Sequence, residues 1–207
     1  MLYLSEYAIF GDKMNVFRAF VAVDLNTEVL DQLAQVMDGL REEIGGTVRW
    51  IPVENMHLTL KFLGDVSLSN VEMLKKIIQT ASAGHPMFAV SVGGVGAFPT
   101  VQQARVVWAG VEGPAELMSV QRMIDLETAR LGYASEPRPF KPHLTLGRVV
   151  RNISPKEALK IAQVLKEKKV GFLGVAQVRE VHLYRSDLQP NGALYTRIFS
   201  VPLAEKK

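Results

Sequence analysis

The sequence predicts an α+β protein of two lobes. Each lobe is built on an antiparallel sheet, a pseudo-twofold axis relates the two, and a functional groove lies between them. Three observations carry this. The order strand, helix, histidine-bearing strand, helix, strand runs twice through 207 residues. The word His-Leu-Thr-Leu occurs twice, at 57–60 and 143–146, in a chain with four histidines. The two copies stand 86 residues apart and their leading strands are similarly spaced, which marks an internal duplication. No Ser- or Gly-rich linker divides the halves, so the lobes are expected to pack as one unit over 14–207.

The elements follow in order. Val16–Leu25 is apolar on both faces and reads as a central strand. Asn26 is placed to cap the next helix. Val29, Leu30, Leu33, Val36, Met37, Leu40 and Ile44 recur at helical spacing, and Gly45-Gly46 stops it. Thr47–Ile51 is a short strand, Pro52 to Asn55 a turn, and His57–Leu63 the first histidine strand. Ser69-x-x-Glu72 reads as a capping box opening a helix with Val71, Leu74, Ile77 and Ile78 on one face. Met87–Phe98 reads as a strand loosened by Gly93, Gly94 and Gly96.

The second half repeats the order. Arg105–Val111 is a strand. Gly113-Pro114 opens a helix carrying Leu117, Val120, Ile124 and Leu131, ended by Gly132. Pro137, Pro139 and Pro142 hold an extended approach to the second histidine strand. Ser154-Pro155-Lys156-Glu157 is a capping box with proline at the first helical position, and the helix behind it bears Leu159, Ala162 and Leu165. Val175–Tyr184 and Ala193–Val201 are strands joined by a turn at Pro190-Asn191-Gly192.

Composition narrows the chemistry. There is no Cys, which excludes disulfides, zinc–thiolate sites and a cysteine nucleophile. No run approaches the roughly 20 apolar residues of a membrane span. Residues 1–13 lack a basic n-region and a small-residue cleavage site, so they read as an N-terminal extension before a natural start at Met14. A cytoplasmic monomer is expected. The charge is uneven: residues 1–100 hold 7 Lys/Arg against 11 Asp/Glu, and residues 101–207 hold 17 against 10. The excess positive charge surrounds the second histidine word, at Arg138, Lys141, Arg148 and Arg151, as a phosphate-binding rim would require.

The candidate site is the pair of words. Residues i and i+2 of a strand share a face about 6.5–7 Å apart. His57 and Thr59 therefore point one way, and so do His143 and Thr145, while the leucines enter the core. Two imidazoles whose pKa lies near 6.5 can divide into one base and one acid. That is what in-line attack at phosphorus needs, and the threonine hydroxyls are placed to donate to the phosphate oxygens. A metal is not required: neither histidine has a His-x-x-x-His partner, and Glu54 and Asp65, near His57, bring no third and fourth ligand in a recognisable pattern. Lys61 shares parity with His57 and Thr59 and is expected to line the groove. Phe62 shares parity with Leu58 and Leu60 and is expected in the core. Arg148 is a candidate phosphate ligand, and Tyr184 a candidate base-stacking ring. His85 and His182 carry no such pattern.

The words Arg18-Ala19-Phe20-Val21-Ala22-Val23, Trp50-Ile51-Pro52 through His57-Leu58-Thr59-Leu60-Lys61-Phe62-Leu63-Gly64, Phe140-Lys141-Pro142-His143-Leu144-Thr145-Leu146-Gly147-Arg148 and Leu183-Tyr184-Arg185-Ser186 resemble the two-histidine (2H) phosphoesterase superfamily. Within it they are most similar to the RNA 2',3'-cyclic phosphodiesterase branch, also called "2'-5' RNA ligase" or LigT-like. The resemblance implies a bilobal fold with its site between the lobes. It implies opening of an RNA-terminal 2',3'-cyclic phosphate to a 2'-phosphate, without metal, ATP or other cofactor. By that resemblance His57 is the proton donor, His143 the proton acceptor, and Thr59 and Thr145 hold the phosphate. Partners would be RNA ends with a cyclic phosphate, tRNA fragments included, with a ligase side activity. Two other readings fit the same residues: an RNA-end-binding module without turnover, and a related enzyme acting on another cyclic phosphate or a 2'-5' linked oligonucleotide.

Overall fold

The computed structural model describes residues 15–190 and 192–205; the proposed extension at 1–13 lies outside them. The elements run β1 (Val16–Val23), α1 (Thr27–Ile44), β2 (Val48–Trp50), β3 (Leu58–Ser67), α2 (Val71–Ser82), β4 (Phe88–Phe98), β5 (Val106–Glu112), α3 (Ala115–Arg130), β6 (His143–Val149), α4 (Pro155–Glu167), β7 (Phe172–Val178), β8 (Glu180–Gln189) and β9 (Gly192–Pro202). They form two antiparallel sheets, one ordered β3-β1-β8-β9 and the other β2-β6-β5-β4-β7. Helices α2 and α3 pack on the first sheet, and α1 and α4 on the second. The leucines of both histidine words lie in the buried core: Leu58, Leu60, Leu144 and Leu146.

The fold is α+β with two lobes, but the lobes are not the two halves of the chain. β4 belongs to the first half by sequence yet pairs with β5 of the second. β8 belongs to the second half yet pairs with β1. Helix α1 likewise covers β7, while α3 covers β3. The duplicated order holds, and its last strand crosses over each time. The expected strand Val175–Tyr184 is accordingly two strands, β7 in one sheet and β8 in the other.

Local signals differ in how well they hold. At α4 the Ser154 hydroxyl accepts from the Glu157 N–H at 3.3 Å, and the Glu157 carboxylate accepts from the Ser154 N–H at 2.6 Å, a complete capping box. Ser69 and Glu72 do not form one. A 3₁₀ turn at Leu68–Asn70 intervenes, and Asn70 stands at the start of α2. Asn26 makes no cap bond either; its side chain reaches across to the Val175 carbonyl. Leu159 is exposed, and Ile161 takes the core position beside Ala162 and Leu165.

The short strand β2 brings the two words together. It lines the edge of the second sheet beside β6, with Trp50 opposite Gly147. The Ile51 N–H then donates to the Leu146 carbonyl at 2.8 Å. From there the chain needs only a 3₁₀ turn at Val53–Asn55 to reach His57 and enter the first sheet. β3 and β6 consequently approach each other across the lobe boundary, with Cα atoms within 8 Å.

Candidate active site

His57 immediately precedes β3 and His143 begins β6. The two are held alike. Nδ1 of His57 lies 2.9 Å from the carbonyl of Asn55, and Nδ1 of His143 lies 2.7 Å from the carbonyl of Lys141. A carbonyl can only accept, so each Nδ1 carries the proton and each Nε2 is the working nitrogen. Neither Nε2 has a hydrogen-bond partner among the described residues. Thr59 and Thr145 follow two residues on, half-buried, while the residues between them are fully buried.

Both words end in the same irregularity. The register of β3 against β1 slips after Thr59, and that of β6 against β5 slips after Thr145, leaving one extra residue in each strand. A bulge of this kind reverses the alternation beyond it. Lys61 therefore does not line the groove. It turns to the helix-covered side, 5% exposed, where its ammonium donates to Asp125 of α3 and to the carbonyl of Ala134, each at 2.6 Å. Phe62 is corrected in the opposite sense: it is 66% exposed and faces Phe20 rather than the core. In β6 the bulge places Gly147 against Val48 and Trp50, where a Cβ would meet Val48 at 2.5 Å. Arg148 returns to the histidine side, exposed and without a carboxylate partner among the described residues.

Aromatic rings back each imidazole. Phe20 stacks on His57 at 4.5 Å between centroids, and Tyr195 meets His57 edge-on at 5.2 Å. Phe98 meets His143 edge-on at 4.8 Å and in turn contacts Trp108. The Trp108 ring lies across the bare backbone of Gly96, whose Cβ would come within 2.4 Å of it. That close approach explains a glycine that looks like mere loosening in the sequence. Tyr184, the proposed base-stacking residue, is already engaged. Its ring stacks on Phe20 at 5.3 Å with the Arg197 guanidinium 5.8 Å away, and its hydroxyl donates to Asp24 at 2.7 Å. Burial, with that bond to Asp24, pushes its pKa up to about 12. It is part of the floor under His57.

Asp24, at the end of β1, gathers this floor. It accepts from Tyr184 and from Arg197, and its carboxylate lies 3.5 Å from Nε2 of the buried His182. His182 Nδ1 pairs with the Ser200 hydroxyl at 2.9 Å. Neither Asp24 nor His182 stands out in the sequence.

The electrostatics differ between the histidines. Burial lowers the His57 pKa, opposed by the bond to Asn55 and by the negative charge of Asp24. Burial also lowers that of His143, opposed by the bond to Lys141 but reinforced by the positive charge of Arg148. A carboxylate thus attends one imidazole and a guanidinium the other. Among the described residues no group of three or more His, Asp or Glu side chains is close enough to hold a metal ion. A separate cavity of about 570 Å³ lies between the β4–β5 loop and α4, lined by Pro99, Gln103, Arg105, Asn152 and Ile161, and it contains none of these residues' chemistry.

Known proteins resemble this chain in sequence and fold. The LigT-like phosphoesterase profile matches the chain twice, at residues 23–108 and 111–195. An RNA 2',3'-cyclic phosphodiesterase of Methanothermobacter thermautotrophicus is 37% identical over 86% of this chain and 95% of its own. One from Thermotoga maritima is 32% identical over 88% of this chain and 93% of its own. The structure is also similar to that of Escherichia coli LigT without ligand, at a TM-score of 0.72 and 26% identity, covering 92% of this chain and 99% of that one. The two matched segments divide the chain between its two histidine words, and on that evidence this protein belongs to the LigT-like, two-histidine phosphoesterase family.

Proposed function

We propose that the protein opens RNA-terminal 2',3'-cyclic phosphates to 2'-phosphates, using His57 as acid and His143 as base. The observation that carries the reading is the matched tethering of the two imidazoles: each Nδ1 is tied to a carbonyl two residues upstream, leaving each Nε2 for proton transfer. The names borne by relatives support the substrate class.

In this reading Nε2 of His143 takes a proton from water as its oxygen attacks phosphorus. The P–O3' bond breaks, and Nε2–H of His57 protonates the departing O3'. The product keeps phosphorus on O2' and gains a free 3'-hydroxyl. Thr59 and Thr145 donate to the non-bridging oxygens, and Arg148 offsets the charge that gathers there. The unequal neighbours support this division of labour: Asp24 favours a protonated His57, and Arg148 favours a neutral His143. If the 5'-hydroxyl of a second RNA replaces water, the same displacement joins the two ends by a 2'-5' linkage, which is the ligase reaction. The proposed substrates include tRNA fragments ending in a cyclic phosphate, on which the protein acts as a monomer.

The test is incubation with an RNA ending in a 2',3'-cyclic phosphate in excess EDTA, followed by identification of the phosphorylated hydroxyl. A 2'-phosphate with a free 3'-hydroxyl is expected. A 3'-phosphate, or no turnover, would refute the proposal.

A further inference from the structure

One row of the first sheet carries polar side chains that the reaction above does not use. Arg18 of β1 lies opposite Ser186 of β8, and Ser186 lies opposite Tyr195 of β9. Direct cross-strand partners project from the same face. That face is the one bearing Phe20, two residues beyond Arg18, and the Tyr195 ring touches both Phe20 at 5.0 Å and His57 at 5.2 Å. The row therefore begins where the histidine site ends.

Its polar groups are uncommitted. The Tyr195 hydroxyl has no hydrogen-bond partner among the described residues. Arg18 is exposed and has no carboxylate within 4.0 Å among them, although Asp65 is its cross-strand neighbour on β3. Arg41, Arg130, Arg138, Arg185 and Arg197 are each paired with an acid; among the described residues Arg49, Arg105, Arg122, Arg151 and Arg179 are not, but none of these lies in the row that meets the histidine site. From the other lobe Arg148 also stands without a partner, and its charge and that of Arg18 both reach the Tyr195 phenol. A phenol O–H in one cross-strand row with an unpaired guanidinium, on strands rather than loops, is a donor set for an anion.

We propose that Arg18 and Tyr195, with Ser186 between them, hold a second phosphate of the RNA, the internucleotide phosphodiester on the 5' side of the terminal nucleotide. The inference rests on the RNA-end reading above, in which Arg148 attends the reacting phosphate. Residues two apart in a strand lie about 6.5–7 Å apart. Arg18 thus stands roughly one extended nucleotide step beyond the Phe20–His57 stack. A cyclic mononucleotide leaves the row empty, and any longer RNA fills it, so the row selects RNA ends over free cyclic nucleotides.

Three substrates test this: cyclic 2',3'-AMP, the dinucleotide ApA ending in a 2',3'-cyclic phosphate, and the same dinucleotide with an uncharged methylphosphonate link. The charged dinucleotide is expected to exceed the other two in kcat/KM by about tenfold or more. Arg18→Gln is expected to remove that advantage while changing the mononucleotide rate by less than about twofold. Equal values for all three substrates, or an Arg18→Gln loss of the same size on the mononucleotide, would overturn the subsite. A binding measurement is independent of turnover. His143→Ala is titrated with ApA carrying a 2'-phosphate, with its methylphosphonate counterpart, and again after adding Arg18→Gln. About tenfold tighter binding of the charged form, lost with Arg18, is expected. Equal affinities would overturn the subsite even in a protein that turns over none of these substrates, whereas that lack of turnover would refute only the phosphodiesterase reading.

Discussion

The Phe20 ring lies parallel to the His57 imidazole, 4.5 Å between centroids and 19° between planes. The stack fixes the plane in which Nε2 can move a proton, and Tyr184 and Tyr195 press on the same phenyl ring from two sides. Phe20→Leu keeps an apolar side chain but removes the flat support. It is expected to lower kcat by about tenfold through loss of orientation, with KM little changed. Steady-state kinetics beside a thermal melt separate this from unfolding; a loss of Tm without loss of kcat per folded molecule would contradict it.

His57→Ala and His143→Ala are each expected to cost several orders of magnitude in kcat. The double variant should be no worse than the poorer single one if, as proposed, acid and base act in one displacement. The comparison is made by single-turnover assays on a cyclic-phosphate dinucleotide. Additive losses would mean that the two imidazoles serve separate steps.

The pH dependence has a definite sign. The proposed mechanism needs His143 neutral and His57 protonated. Rising pH through the His57 pKa removes the acid, and falling pH through the His143 pKa blocks the base. Burial lowers both from the usual value near 6.5, so both limbs move to the acid side. The kcat/KM profile is expected to be a bell with its maximum below neutrality, and a maximum above about pH 8 would contradict the assignment. Arg148→Gln removes the charge that lowers His143, so it should shift the acid limb upward in pH besides reducing the rate.

Lys61 separates stability from activity. Its ammonium is buried between Asp125 and the Ala134 carbonyl. Lys61→Ala leaves the Ala134 carbonyl without its donor and Asp125 with only its bonds to Ser135 and the Glu136 backbone, and is expected to destabilise by about 2–4 kcal/mol, moderated by those bonds and by the partial exposure of Asp125. KM should stay as it is, because the side chain points away from the groove. Denaturant unfolding and kinetics on the same preparation measure both. A raised KM with unchanged stability would restore Lys61 to the groove wall.

The histidine words were legible because alternation holds over the four residues from His57 to Leu60 and from His143 to Leu146. The same rule fails one residue later. The bulge that follows Thr59 carries no marker in the sequence, unlike the one after Thr145, which is flanked by Gly147, so Lys61 and Phe62 are exchanged relative to strict alternation. The partner that makes a buried Lys61 tolerable, Asp125, lies 64 residues away and is invisible to local reading. Arg148 could be proposed from its place beside the second word and its positive surroundings. Asp24, His182 and Tyr195 could not, since what they do depends on which strands become neighbours. The order of elements gave two lobes but not which strand enters which, for a crossover between sheets leaves the pattern of helices and strands unchanged.

That crossover has a mechanical meaning. Since β4 and β8 each complete the sheet begun by the opposite half of the chain, the lobes are laced like clasped fingers. Cutting the polypeptide between Phe98 and Val106 would leave two fragments, each lacking strands that its own sheet needs and each able to finish only by embracing the other. The spacing of the two imidazoles is thereby set by woven backbone rather than by a hinge.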